Sequence, residues 1–114
     1  MAYSEPYDAL DEKTRDISRA ITSLREELEA VDWYNQRVAT STDVSLKEIM
    51  AHNRDEEIEH AAMTIEWLRR NMAKWDDELK TYLFTAGSLL DVEEGEGESE
   101  ASNSSTLAIG SLKK

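Results

Sequence analysis

Glu57-Ile58-Glu59-His60 sits in the middle of a long helical pattern, and its reading decides the fold of the chain. Residues three apart are neighbours on a helix surface, so the Glu57 carboxylate and the His60 imidazole project from one face, where the surrounding pattern asks for apolar residues. A further glutamate, Glu27, borders the apolar seam of the preceding helix. Four-helix carboxylate bundles that hold two metal ions take one Glu from each of two helices and a Glu-x-x-His from each of the other two. This chain has one long helix of each kind. The missing half must come from a second copy, so the spacing predicts a site at a homodimer interface.

Working outward, the first helix is expected from about Asp8, after Pro6, to about Ala39, with Leu10, Ile17, Ile21, Leu24, Leu28, Val31 and Val38 as its seam. At about 1.5 Å per residue it spans roughly 45 Å. Thr40-Ser41-Thr42-Asp43 allows only a tight turn between antiparallel neighbours. Ser45-Leu46-Lys47-Glu48 reads as a capping box opening a second helix that runs to about Asn71. Its seam is Leu46, Ile49, Asn53, Glu57, His60, Thr64 and Leu68. Four polar residues in succession there would be costly in a plain scaffold, because buried polar groups need partners or a metal. A short third helix is expected from about Lys74 to Phe84, burying Trp75, Leu79, Tyr82 and Leu83, with Gly87 as its stop.

The region from Asp91 to Thr106 is acidic and nearly free of large apolar residues, the composition of a disordered linker. Apolar character returns in Leu107-Ala108-Ile109-Gly110-Ser111-Leu112. An apolar patch on a flexible tether reads as a docking peptide, with Leu107, Ile109 and Leu112 as anchors and Gly110 permitting close approach. The organisation is therefore a helical domain over 1–90, a linker over 91–106 and a docking segment over 107–114.

Composition narrows the chemistry. The 114 residues include one proline and no cysteine, and the net charge is −12. Without thiolates the candidate ligands are Glu, Asp and His, which suit harder cations such as iron or manganese. An acidic surface repels phosphate backbones and concentrates cations, so nucleic acid is not an expected partner. Neither a secretory start nor an apolar run of membrane-spanning length is present, and an intracellular, cytoplasmic protein is expected. A two-helix hairpin of this size buries little by itself, and self-association is its expected route to stability.

A two-fold axis would gather two copies of Glu27, Glu57 and His60, supplying four carboxylates and two imidazoles for two ions about 3.5 to 4 Å apart. Tyr34 lies two turns beyond Glu27 on the same row. On spacing alone other readings stay open. Glu-x-x-His also arises by chance among 25 acidic residues, and Glu56, one turn before His60, is a rival ligand just off the seam. Glu26, Glu29 and Trp33 share another flank of the first helix, which either holds a hydrated cation loosely or is a solvated acidic face.

Three stretches, Glu26-Glu27-Leu28-Glu29-Ala30-Val31-Asp32-Trp33-Tyr34, His52 through Met63, and Glu66-Trp67-Leu68-Arg69-Arg70, resemble the encapsulated ferritin family, and the segment Leu107 to Leu112 is similar to its cargo-loading peptide. The resemblance implies an all-α fold in which an antiparallel two-helix hairpin plus a short C-terminal helix dimerises into a ferritin-like four-helix bundle. It further implies a ferroxidase that oxidises Fe(II) to Fe(III) with dioxygen, two irons per dimer interface, and a decamer built as a pentamer of dimers. Calcium, manganese or zinc could occupy the same donors. Carried over residue by residue, the ferroxidase ligands are Glu27, Glu57 and His60 with Tyr34 beside them, and Glu26, Glu29 and Trp33 match the family's positions for metal access. The partner implied for Leu107, Ile109, Gly110, Ser111 and Leu112 is the encapsulin shell, which places the protein inside an encapsulin nanocompartment. The competing reading is a non-catalytic helical scaffold or metal-binding adaptor recruited through the same terminal peptide.

Overall fold

In the computed structural model, which describes residues 3–102, a 3-10 turn and four α-helices follow one another, and among these residues there is no strand. The helices are α1 (Glu12–Thr40), α2 (Val44–Asn71), α3 (Ala73–Tyr82) and α4 (Leu89–Ser102). They fall into two compact units divided between Asn71 and Met72. No helix among the described residues is long and apolar enough to cross a membrane.

The first unit is the expected antiparallel hairpin. Its first helix begins later than the periodicity suggested, because Asp8 lies in the 3-10 turn Tyr7–Ala9 and Leu10 is extended. Asp11 is the true N-cap: its side chain accepts the Thr14 N–H at 2.8 Å. The Arg15 guanidinium folds back to donate to the Tyr7 carbonyl at 2.8 Å and sits 3.7 Å from the centre of the Tyr7 ring, which fixes the approach to α1. Ser41, Thr42 and Asp43 connect the helices. The capping box expected at Ser45 is not formed. Asp43 caps α2 instead, its Oδ1 accepting the Leu46 N–H at 2.8 Å while its carbonyl takes the Lys47 N–H at 2.9 Å.

Two apolar stripes were expected to face each other, and only their centres do. Leu24, Ala61 and Leu68 are the buried apolar residues of the described chain, with Ile17, Val31 and Val38 partly covered. Ile21 and Leu28, read as seam residues, lie exposed on one flank, as do Leu46 and Ile49 on α2. The reason is geometric: a stripe of period 3.6 is wider than the line of contact that one neighbouring helix provides. Polar ties cross the hairpin as well. Arg54 donates to Asn35 Oδ1 at 3.0 Å, and Lys13 hydrogen-bonds Asn71 Oδ1 while its ammonium stands 5.8 Å from the Trp67 ring centre.

In the second unit α3 and α4 pack together. No side chain of α3 is buried; Trp75, Leu79 and Tyr82 are half-covered and Leu83 is exposed, unlike the burial expected. The helix ends before Phe84, which takes the left-handed conformation (φ 64°) usual for glycine after a helix and is fully exposed, so Gly87 is not the stop. The acidic segment read as structureless is helical as far as Ser102. Ser88 starts it, its carbonyl accepting the Val92 N–H at 3.1 Å and its hydroxyl the Asp91 N–H at 3.4 Å, and the glutamates that follow are good helix formers. The docking segment 107–114 lies outside the described residues.

Candidate metal centre

Helix α2 brings Glu57 and His60 together as their spacing required: Glu57 Oε1 lies 3.4 Å from His60 Nδ1, both side chains being partly covered. On α1, Glu27 is half-buried and faces α2. Thr64 stands between them. Its hydroxyl is 3.0 Å from Glu27 Oε1 and 3.0 Å from the His60 carbonyl oxygen, and its one proton serves either acceptor. Glu27 is thereby tied to the same turn of α2 that carries His60.

Glu27 and Thr64 line an open groove of about 390 Å³, walled by Arg19, Ala20, Ser23 and Glu27 from α1 and by Met63, Thr64 and Trp67 from α2. Met63 and Trp67 continue, at helical spacing, the row of Ile49, Glu56 and His60, so His60 lies on a largely apolar ridge open to solvent. Ala20 and Ser23 of α1 face Met63 and Trp67 of α2 across the groove, with the Arg19 guanidinium on its wall. Among the described residues of one chain, no three His, Cys, Asp or Glu side chains converge on a common point. Two candidate ligands are neighbours on α2, and the third, Glu27, is joined to that helix through the Thr64 hydroxyl.

The other residues singled out by sequence are distributed around this core. Tyr34 is half-buried on the α1 face that carries Glu27. The Arg37 guanidinium stands 5.4 Å from the Tyr34 ring centre and 6.0 Å from that of Trp33, linking the two aromatics through one cation. Glu26, Glu29 and Trp33 are exposed, and by helical spacing they lie on the outer face of α1, opposite the buried Leu24. Glu56, the rival ligand, is exposed with His52 4.0 Å from its carboxylate. Thr64 and Arg37 are the residues whose neighbours could not be read from sequence. Thr64 was visible as a polar seam position, but its bond to a residue 37 positions away was not.

A family model described as EncFtn-like matches residues 2–86. The chain belongs to the EncFtn-like family. It is 55% identical to an encapsulated ferritin-like protein of Rhodospirillum rubrum over 96% of this chain and 86% of that protein, a match that runs well past residue 86. A ferritin-like protein of Thermotoga maritima is 56% identical, with 81% of each chain covered. Among solved structures, protein ne0167 from Nitrosomonas europaea aligns at a TM-score of 0.75 with 61% identity, covering 76% of this chain and 96% of that one. The whole hairpin and α3 fall inside the family match.

Proposed function

We propose that the protein is a ferroxidase whose two-iron centre forms across a homodimer interface from Glu27, Glu57 and His60 of each protomer, with Tyr34 alongside. The observation that carries this reading is the half-assembled set: Glu57 and His60 are 3.4 Å apart, and Glu27 is held against the same turn on the rim of an uncovered apolar ridge. Oxygen and imidazole donors suit iron, and four carboxylates favour Fe(III) over Fe(II), which lowers the barrier to giving electrons to dioxygen. Fe(II), the substrate, is drawn in by the acidic surface, with Glu26, Glu29 and Trp33 on its route. Metal binds only the assembled pair, so it strengthens the dimer by linkage.

Two exposed apolar flanks support a higher assembly. Ile49, Met63 and Trp67 line the ligand side, whereas Ile21, Leu28 and Ile58 lie on the opposite one. An isologous dimer consumes the first and leaves the second to join dimers, as a closed decameric ring requires. The R. rubrum relative is called encapsulated, which supports residence inside an encapsulin nanocompartment, with the segment 107–112 as the peptide that docks on the shell. Anaerobic protein given Fe(II) and then air should oxidise it far faster than buffer, and Glu27→Ala and His60→Ala should each lose that advantage. Variants as fast as wild type would favour a scaffold.

A further inference from the structure

We infer that Thr64 is the positioning residue for Glu27. Its hydroxyl aims one carboxylate oxygen in the metal-free chain and transfers its hydrogen bond to the His60 carbonyl when metal takes that oxygen. The inference rests on the reading of Glu27 as a ligand. Glutamate reaches its target through three rotatable bonds, and a carboxylate on the open side of a hairpin would sample many of them. Here the half-buried Glu27 is met by a half-buried hydroxyl from the other helix at 3.0 Å. A bond to a charged acceptor is stronger than one between neutral groups, so it selects one rotamer.

The second acceptor matters as much. Thr64 lies one turn after His60, and its hydroxyl is also 3.0 Å from the His60 carbonyl oxygen. A donor with a single acceptor would be stranded once a cation claimed both carboxylate oxygens, and the loss would weigh against binding. With two acceptors at equal distance, a rotation of the hydroxyl hydrogen keeps the donor satisfied in both states. The same side chain thus orders the ligand before binding and releases it at little cost afterwards.

Two substitutions separate the hydroxyl from the rest of the side chain. Valine has its shape without the hydroxyl, and serine has the hydroxyl without the methyl. Groups that orient metal ligands typically cost roughly 10- to 100-fold in affinity when removed. Because Glu27 is only partly buried, water can replace some of what Thr64 supplies, and the low end of that range applies.

The test is a titration of the full-length metal-free protein with Co(II), following both the bound metal and the shift from monomer to dimer by native mass spectrometry. Thr64→Val should raise the Co(II) concentration at half-conversion roughly 10-fold, and Thr64→Ser should return it to near wild type. Circular dichroism of the metal-free forms should be unchanged. Equal weakening by valine and serine would mean that keeping the hydroxyl confers no advantage and would overturn the inference. So would a wild-type curve for Thr64→Val beside a failed Glu27→Ala, which leaves Glu27 a ligand that needs no orientation. A wild-type curve for Glu27→Ala would remove the metal reading itself, and the Thr64 inference with it.

Discussion

Met63 offers the sharpest test of how the hairpin is completed. It stands one turn after His60 on the open ridge, lines the groove beside Thr64, and is 59% exposed in the single chain. Complete burial of a methionine is worth about 1.5 to 3 kcal/mol, so covering the exposed part contributes about 1 to 2 kcal/mol per protomer. A two-fold interface uses the residue twice, giving about 2 to 4 kcal/mol, or about 30- to 1000-fold in the dimer dissociation constant. Met63→Gln keeps the length of the side chain and removes most of that gain. Sedimentation equilibrium in saturating Co(II) should show the metal-coupled dimer of this variant dissociating at correspondingly higher concentration. Leu28→Gln, on the opposite flank, should disrupt larger assemblies and leave that dimer in place. Equal dimer stability in wild type and Met63→Gln would refute the assignment of the ridge to the metal-bearing interface.

Leu68 is fully buried between the helices, so Leu68→Ala should cost about 2 to 5 kcal/mol in denaturant unfolding, whereas Ile21→Ala in the dissociated chain should cost far less. The Arg69 guanidinium, and then that of Arg70, hold the Glu66 carboxyl down to about 2. A depressed carboxylate contributes stability above its unfolded value of 4.5 that is lost as pH falls toward about 2, and Glu66→Gln should flatten that limb of an acid-denaturation series. Removal of residues 107–114 should leave iron oxidation intact and abolish co-purification with an encapsulin shell. Continued loading of the shortened chain would contradict the docking role.

The hairpin was legible because Ile17, Leu24 and Val31 recur at helical spacing on α1, because Leu68 closes the seam of α2, and because Ser41 to Asp43 leaves room only for a turn. Helix starts were less so. Asp8 and Asp11, like Asp43 and Ser45, are pairs of good caps a few residues apart, and the choice depends on the conformation of Leu10 and on which side chain reaches the third N–H. Which flank of each stripe lies open depends on where the partner helix passes, so the exposure of Ile21 and Leu28 is a tertiary property. In α4, glycines and serines suggested disorder, yet the Ser88 cap and the run of glutamates prevailed. At the site, Glu57 and His60 were readable because both lie on one helix. The hydrogen bond from Thr64 to Glu27 joins two helices and was invisible to spacing.

The claim that each protomer supplies half of one centre is tested most directly by crystals of the protein soaked anaerobically in Fe(II), with anomalous scattering collected at the iron edge. Two adjacent peaks on a two-fold axis, each within bonding distance of glutamate and histidine side chains from both chains, are the expected result. Iron held by the side chains of a single protomer, or only at exposed Glu26 and Glu29, would contradict it.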